Sequence, residues 1–226
     1  LADGADAAST YTNNVDAVAT SLPGPDEPER SYPRVASSAA LNSAAAAPTI
    51  TKMADRDSVV LGNVVNYTVT VSLPSNSHYE NITLLDVLPP AMYYQWNPQA
   101  SCVGCTSGPS VSQDLGADNP TSTTTRIGYY LGAIDTGAAP ATITWTYSTW
   151  VNSTFSDGAK VLQGHVFTNT AEFRANVVDR FGGVSPRLNT LRPSDFRATA
   201  TDDVVAGQPD LAIVKRLVGA SPLDPS

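Results

Sequence analysis

Between Val64 and Leu73 apolar and polar residues alternate without interruption. Val65, Tyr67, Val69 and Val71 fall on one side of a pleated strand, and Asn66, Thr68, Thr70 and Ser72 on the other. This pattern predicts a strand with one dry and one wet face. Similar runs precede and follow it: Ile50 to Ala54, Ile82 to Leu88, Met92 to Trp96, Arg126 to Ile134, Ala141 to Val151 and Val161 to Val177. Pro89-Pro90 stops the Ile82 to Leu88 run, because proline cannot donate to a ladder. Residues 57–63 read as a Gly-containing turn, and residues 97–124 as a Ser/Gly/Pro/Thr-rich excursion. Seven or more short strands separated by turns predict an all-β, two-sheet sandwich.

The chain also repeats itself. Tyr11–Ala17 lines up with Phe167–Phe173 at an offset of 167 − 11 = 156. Ser31–Arg34 lines up with Ser194–Arg197, and Pro48–Lys52 with Leu211–Lys215, both at an offset of 163 (194 − 31 and 211 − 48). Three blocks in one order predict a tandem array. Residues 1–47 then carry the C-terminal strands of a preceding repeat plus a linker, residues 48–206 a complete repeat, and residues 207–226 the first strand of the next. A start at Leu1 and an end at Ser226 are expected of a piece of something longer or processed.

Composition narrows the function. The 226 residues carry 13 Lys+Arg against 21 Asp+Glu, a formal charge of −8, with only three lysines, Lys52, Lys160 and Lys215. No nucleic-acid partner is expected of so acidic a chain, since phosphate binding needs clustered cations. A basic membrane-surface role fails on the same ground, and no apolar run approaches the ~20 residues needed to span a bilayer. With 15% charged residues and much Ser, Thr, Asn, Ala, Gly and Pro, the composition points to an extracellular location. Cys102 and Cys105 are expected to close a small disulfide in an oxidising compartment, because His78 and His165 have no ligand-like spacing to them and zinc needs four ligands. Asp55 with Asp57, or Asp202 with Asp203, could hold calcium, but neither pair matches a full loop pattern and solvated turns are the expectation. No nucleophile elbow or phosphate loop is present, so the chain is not expected to be an enzyme.

Five segments together resemble a known family: Thr51–Asp55, Leu61–Val71, Ile82–Pro89, Tyr130–Gly137 and Phe167–Ala171. They look like the repeat of large bacterial and archaeal surface proteins catalogued as domain of unknown function eleven, itself similar to the isopeptide-forming domains of fimbrial shaft proteins. The match covers residues 48 to about 177. It departs from the family pattern at Asn63, where the repeat usually has Asp, at Ser72-Leu73-Pro74, and in the Cys-containing insertion. The resemblance implies an immunoglobulin-like or prealbumin-like sandwich in tandem repeat, in a cell-surface or secreted filament whose partners are adjacent repeats or copies of itself.

Strand phase supplies candidate chemistry. Lys52 shares its phase with Ile50 and Ala54, Asp86 with Ile82, Leu84 and Leu88, and Asn169 with Phe167, Ala171 and Phe173, so all three are predicted to face inward. Burial would lower the Lys pKa toward a neutral amine and raise that of Asp toward a protonated carboxyl. Such an amine held against the Asn carboxamide can displace ammonia and leave an amide cross-link, the reaction that the resembled fimbrial domains perform once, autocatalytically. Lys52 and Asn169 are the predicted partners and Asp86 the helper, with Asn13 and Lys215 in the matching places of neighbouring copies. By analogy with disulfides, a closed loop of 169 − 52 = 117 residues could stabilise the fold by about 4 to 5 kcal/mol. The plainer alternative makes Lys52 an edge-strand guard and Asn169 a residue satisfied by backbone groups.

Other surface roles follow from remaining motifs. Trp145, Tyr147, Trp150, Tyr93, Tyr94 and Trp96 could stack on sugars, although core packing is the expectation. Asn66, Asn81 and Asn152 begin Asn-x-Thr sequons, with Asn66 on the wet face. The alternative to a stiff structural module is an adhesive one that binds glycan or a cell-surface protein through the 97–124 loop.

Overall fold

The computed structural model describes residues 10–17, 34–42, 47–95, 97–121, 124–190 and 193–207. Fourteen strands are present among them: β1 (Thr10–Ala17), β2 (Val35–Asn42), β3 (Thr49–Ala54), β4 (Ser58–Val60), β5 (Val64–Leu73), β6 (His78–Leu88), β7 (Met92–Tyr94), β8 (Gln99–Val103), β9 (Cys105–Ser107), β10 (Gln113–Thr121), β11 (Thr124–Thr136), β12 (Ala141–Val151), β13 (Val166–Asn176) and β14 (Phe196–Gly207). One 3-10 turn, Leu188–Thr190, is the sole helical element described. No helix among the described residues is long and apolar enough to cross a membrane.

β3 to β14 build a two-sheet sandwich. One sheet runs β10-β11-β6-β13-β14-β4, with β9 also on β11, and the other runs β3-β5-β12-β7, with β8 also on β12. Alternation along β5 and β12 places Val65, Tyr67, Val69, Val71, Ile143, Trp145 and Tyr147 in the core against Ile82, Leu84, Phe167 and Phe173 of the facing sheet. β5 and β12 span the predicted residues, and their wet faces carry Thr68 and Thr70 opposite Thr146 and Thr144.

Several boundaries differ from the sequence reading. The predicted turn at 57–63 contains β4, which pairs in parallel with the end of β14 through Ser58↔Val205. The 97–124 segment is not a free loop, because β8, β9 and β10 lie within it and pair with β12 and β11. Its Ser, Gly and Pro content hid strands that serve as sheet edges, where apolar alternation is weak. β13 begins at Val166, not Val161, and β14 follows it, so the strand carrying Asn169 is the penultimate one of the sandwich. Six alternating small or polar residues in Phe196–Gly207 conceal β14, whose face is half-exposed until Val204.

β1 and β2 pair with each other and with none of the other described strands. Their register coincides with that of β13 and β14 under the offsets of the sequence repeat. Tyr11↔Leu41 maps to Phe167↔Val204 (11 + 156, 41 + 163), and Asn13↔Ala39 maps to Asn169↔Asp202. Two offsets chosen on residue identity alone therefore yield one pairing register.

A buried lysine, aspartate and asparagine between the sheets

Lys52 lies on β3, an edge strand of the smaller sheet, opposite Val69. Asp86 lies on β6 of the larger sheet, opposite Ala171, and Asn169 is two residues before Ala171 on the same face of β13. Asp86 and Asn169 are thus diagonal neighbours on one inner face, a separation that side chains can bridge. The three predicted residues converge in the core, and the side chains of Lys52 and Asp86 are both 0% exposed. Asn169 is equally buried. A guard lysine on an edge strand would extend into water, and this one does not.

The Lys52 ammonium forms an ion pair with Asp86 Oδ2 and also bonds to Tyr147 Oη, 2.5 Å away. It sits 4.5 Å from the centre of the Tyr67 ring and 5.2 Å from that of Tyr147. Asn169 Nδ2 donates to the same Tyr147 hydroxyl at 3.3 Å. Tyr147 on β12 stands opposite Tyr67 on β5, their rings stacked at 5.5 Å, and Trp145 closes the wall 4.6 Å from Tyr147. At the mouth of the seam Ala54 N donates to Asp202, tying the free edge of β3 to β14 two residues beyond Lys52.

Desolvation governs the protonation states. Burial drives the Lys52 pKa down, opposed by the Asp86 and Asp202 charges. It drives the Asp86 pKa up, against the stabilising effect of Lys52 and of hydrogen bonds from Tyr147 and Asn169. The same burial, joined by the Asp86 charge, holds the Tyr147 hydroxyl well above its usual range and keeps it protonated. These directions favour transfer of one proton from lysine to aspartate, giving a neutral amine beside a neutral acid. Asp86 Oδ1 and Asn169 Oδ1 are buried without a hydrogen-bond partner. A buried acceptor without a donor is expensive, and a proton on Asp86 Oδ1 would turn one of these two acceptors into a donor.

Other sequence candidates are placed as follows. Asn81 cannot accept a glycan in the folded chain: it is 2% exposed, its amide donates to Asp179 and Tyr130, and its oxygen accepts from Asn176 and the Arg180 backbone. The sequon thus marks a polar staple for the 176–183 turn, because only burial distinguishes the two uses of such an Asn. Asn66 is exposed on the wet face, where it bonds to Asp55 and Ser148. Asn152 is half-buried and accepts from the Ser153 backbone. Trp145 and Tyr147 are core residues and offer no surface for sugar, whereas Tyr93 and Trp150 remain a partly exposed pair 5.9 Å apart. Trp96, Lys215 and the side chain of Asn13 lie outside the described residues.

Cys102 and Cys105 are joined as a disulfide with Cα atoms 6.0 Å apart. Cys102 pairs through β8 with Ile143 and Cys105 through β9 with Thr136, so the bridge sits where the chain passes from one sheet to the other. Gly104 between them has φ +81°, and a Cβ there would meet Pro140 O at 3.0 Å. Asp55 is engaged by Arg56 and Asn66, which hold its pKa down at about 2, and Asp202 by Ala54 N. Among the described residues no three His, Cys, Asp or Glu side chains are grouped to hold a metal ion.

No family model matches the chain, and no curated protein matches it in sequence. Among solved structures it is similar to BcpA, the major pilin subunit of Bacillus cereus, at 13% identity and a TM-score of 0.44, over 71% of this chain and 40% of that one. It is similar to the RrgB pilus backbone of Streptococcus pneumoniae at 17% identity and a TM-score of 0.41, over 61% of this chain and 34% of that one. It is also similar to AvmM, which catalyses macrocyclization in alchivemycin A biosynthesis, at 6% identity and a TM-score of 0.39, over 73% and 91%. The chain spans well under half the length of either pilin. These are likenesses of β architecture, shared by proteins with different described roles.

Proposed function

We propose that this chain is a structural segment of a repeated extracellular surface protein or filament, in which an amide bond between Lys52 and Asn169 locks each sandwich. One observation carries the reading: a lysine and an aspartate buried as a pair, touching the same tyrosine hydroxyl as an asparagine amide, with Asp86 Oδ1 and Asn169 Oδ1 left unpartnered. Such a cluster is a poor stabiliser in itself, because a buried ion pair is often matched or bettered by apolar residues of similar volume. It is well suited to one reaction.

In that reaction the neutral Lys52 amine attacks Asn169 Cγ while protonated Asp86 polarises the carbonyl, and ammonia leaves. The chemistry is single-turnover and leaves no enzyme behind. The tandem reading assigns residues 1–47 to the end of a preceding repeat, 48–206 to a full one and 207–226 to the start of another. The shared register of β1–β2 and β13–β14 supports it, and it puts Asn13 in the place of Asn169 and Lys215 in that of Lys52. Partners would then be neighbouring repeats or further copies in a fibre.

Intact mass of the reduced, denatured chain tests the bond. The natural sequence is expected to weigh one ammonia less than its composition, and Lys52→Ala, Asn169→Ala and Asp86→Ala to have their full masses. A natural chain at full mass overturns the cross-link.

A further inference from the structure

Forming an amide from an amine and a carboxamide requires a proton to move from the incoming nitrogen to the departing one. Lys52 Nζ must lose it and Asn169 Nδ2 must gain it. Asp86 also meets both groups, paired with Lys52 and accepting from the Asn169 side chain, but the cross-link reading places its proton at the carbonyl oxygen. One hydroxyl touches both nitrogens: Tyr147 Oη lies 2.5 Å from Lys52 Nζ and 3.3 Å from Asn169 Nδ2.

We propose that Tyr147 is a catalytic proton relay for the cross-linking reaction, carrying a proton from the lysine nitrogen to the leaving amide nitrogen. The inference rests on the cross-link reading above and adds a role to a residue whose strand phase marks it only as core. Its logic lies in how the Nδ2 contact changes during the reaction. In the resting amide the Nδ2 lone pair is delocalised, so Nδ2 can only donate, and it donates to Tyr147. Once Nζ has bonded to Cγ, the carbon is tetrahedral and conjugation is lost. Nδ2 then has a lone pair of its own, and the same contact reverses so that Tyr147 donates.

The step balances as follows. The Nζ lone pair forms the Nζ–Cγ bond, and the carbonyl π pair moves onto Oδ1, held by the Asp86 proton. Nζ, now cationic, passes one proton to Tyr147 Oη, and Tyr147 passes its own to Nδ2. The Oδ1 pair re-forms the carbonyl, the Cγ–Nδ2 bond breaks, and ammonia departs. Tyrosine and aspartate end as they began, so the net change is amine plus carboxamide to secondary amide plus ammonia. A hydroxyl whose acidity is suppressed by burial suits a concerted exchange, in which it gives and takes a proton together and never stands as a phenolate.

The test uses the full chain made by cell-free translation, then chased at neutral pH. Aliquots are quenched in acid denaturant, and loss of one ammonia is scored by intact mass. Tyr147→Phe keeps the ring and removes the relay, and is expected to slow the reaction on the order of 100-fold. Tyr79→Phe, which removes a buried hydroxyl near Ser77 and away from Lys52, is expected to react at the natural rate. The natural chain should react more slowly in heavy water, and the variant should lose most of that isotope effect because its relay protons are gone. A Tyr147→Phe chain that reacts at the natural rate overturns the relay. So does one that is slow but keeps the full isotope effect, since that result assigns Tyr147 to packing alone. Absence of ammonia loss in the natural chain would instead overturn the cross-link itself, so the two failures are distinguishable.

Discussion

A lysine on an edge strand ordinarily keeps its ammonium in water and discourages pairing with a second sheet. Lys52 is turned the other way, and the difference shows in how the site should respond to pH. Lys52 is shifted down and Asp86 up by their shared burial, so over a wide middle range the pair holds a single proton. That proton resides on either partner, and the two arrangements contain equal numbers of protons. The fraction in the reactive amine-and-acid form is therefore independent of pH between the two steps of the pair. Below the lower step a second proton blocks the amine, and above the upper step Asp86 loses the proton that polarises the carbonyl. We expect the rate of ammonia loss, followed by mass in the same chase, to be flat between the two titration steps of the pair and to fall outside them. A water-exposed lysine would give a rate rising about tenfold per pH unit toward its pKa of about 10.4. A slope of that kind would show that Lys52 reacts from solvent and not from the core.

Among the elements, β8 and β9 connect the two sheets at the end of the sandwich where β12 and β11 begin and finish. Each is short and lies on a sheet edge, and the Cys102–Cys105 bridge holds the crossing. The loop it closes is small, so chain entropy assigns it about 2 kcal/mol, less than half of what the 117-residue loop between Lys52 and Asn169 would give. Replacing both cysteines by serine is expected to lower the unfolding free energy by about that amount, measured by denaturant titration, while leaving ammonia loss intact. Legibility at this scale followed burial. β5 and β12, each dry on one face and wet on the other, were readable to the residue, whereas β8, β9, β10 and β14 were not. Their residues are half-exposed on sheet edges or small and polar, and hydrophobic period carries no information where neither face is dry.

For the whole molecule, the cross-link would connect the two sheets and not merely two ends of the chain. Tension entering at β3 would pass across the core to β13 and leave by β14, whose ladder to β13 runs from Val166↔Val205 to Ala175↔Phe196. Residues between the linked positions would carry no load. In single-molecule pulling, the natural sandwich should therefore lengthen less on unfolding than its Asn169→Ala variant. With 117 residues shielded at about 3.5 Å each, the difference is about 410 Å. Equal lengthening of the two would mean that the load path runs through the entire fold.

Strand phase alone determined that Lys52, Asp86 and Asn169 face inward, since a pleat of period two leaves no other choice once apolar neighbours are buried. Matched blocks at fixed offsets likewise made Tyr11–Ala17 equivalent to Phe167–Phe173, but their partners β2 and β14 were decided by the fold, because repetition in a sequence does not say which strand lies alongside. Phase, however, is a property of one strand, and it cannot say which inward residues of different strands stand at one level. Only the register of β13 on β6 set Asp86 beside Asn169, and only the packing of the two sheets brought Lys52 across to them and placed Tyr147 between the two nitrogens. The same burial decided that Asn81 is a staple and not a glycan acceptor, because whether a polar group must find its partner inside the protein depends on how much water its neighbours exclude.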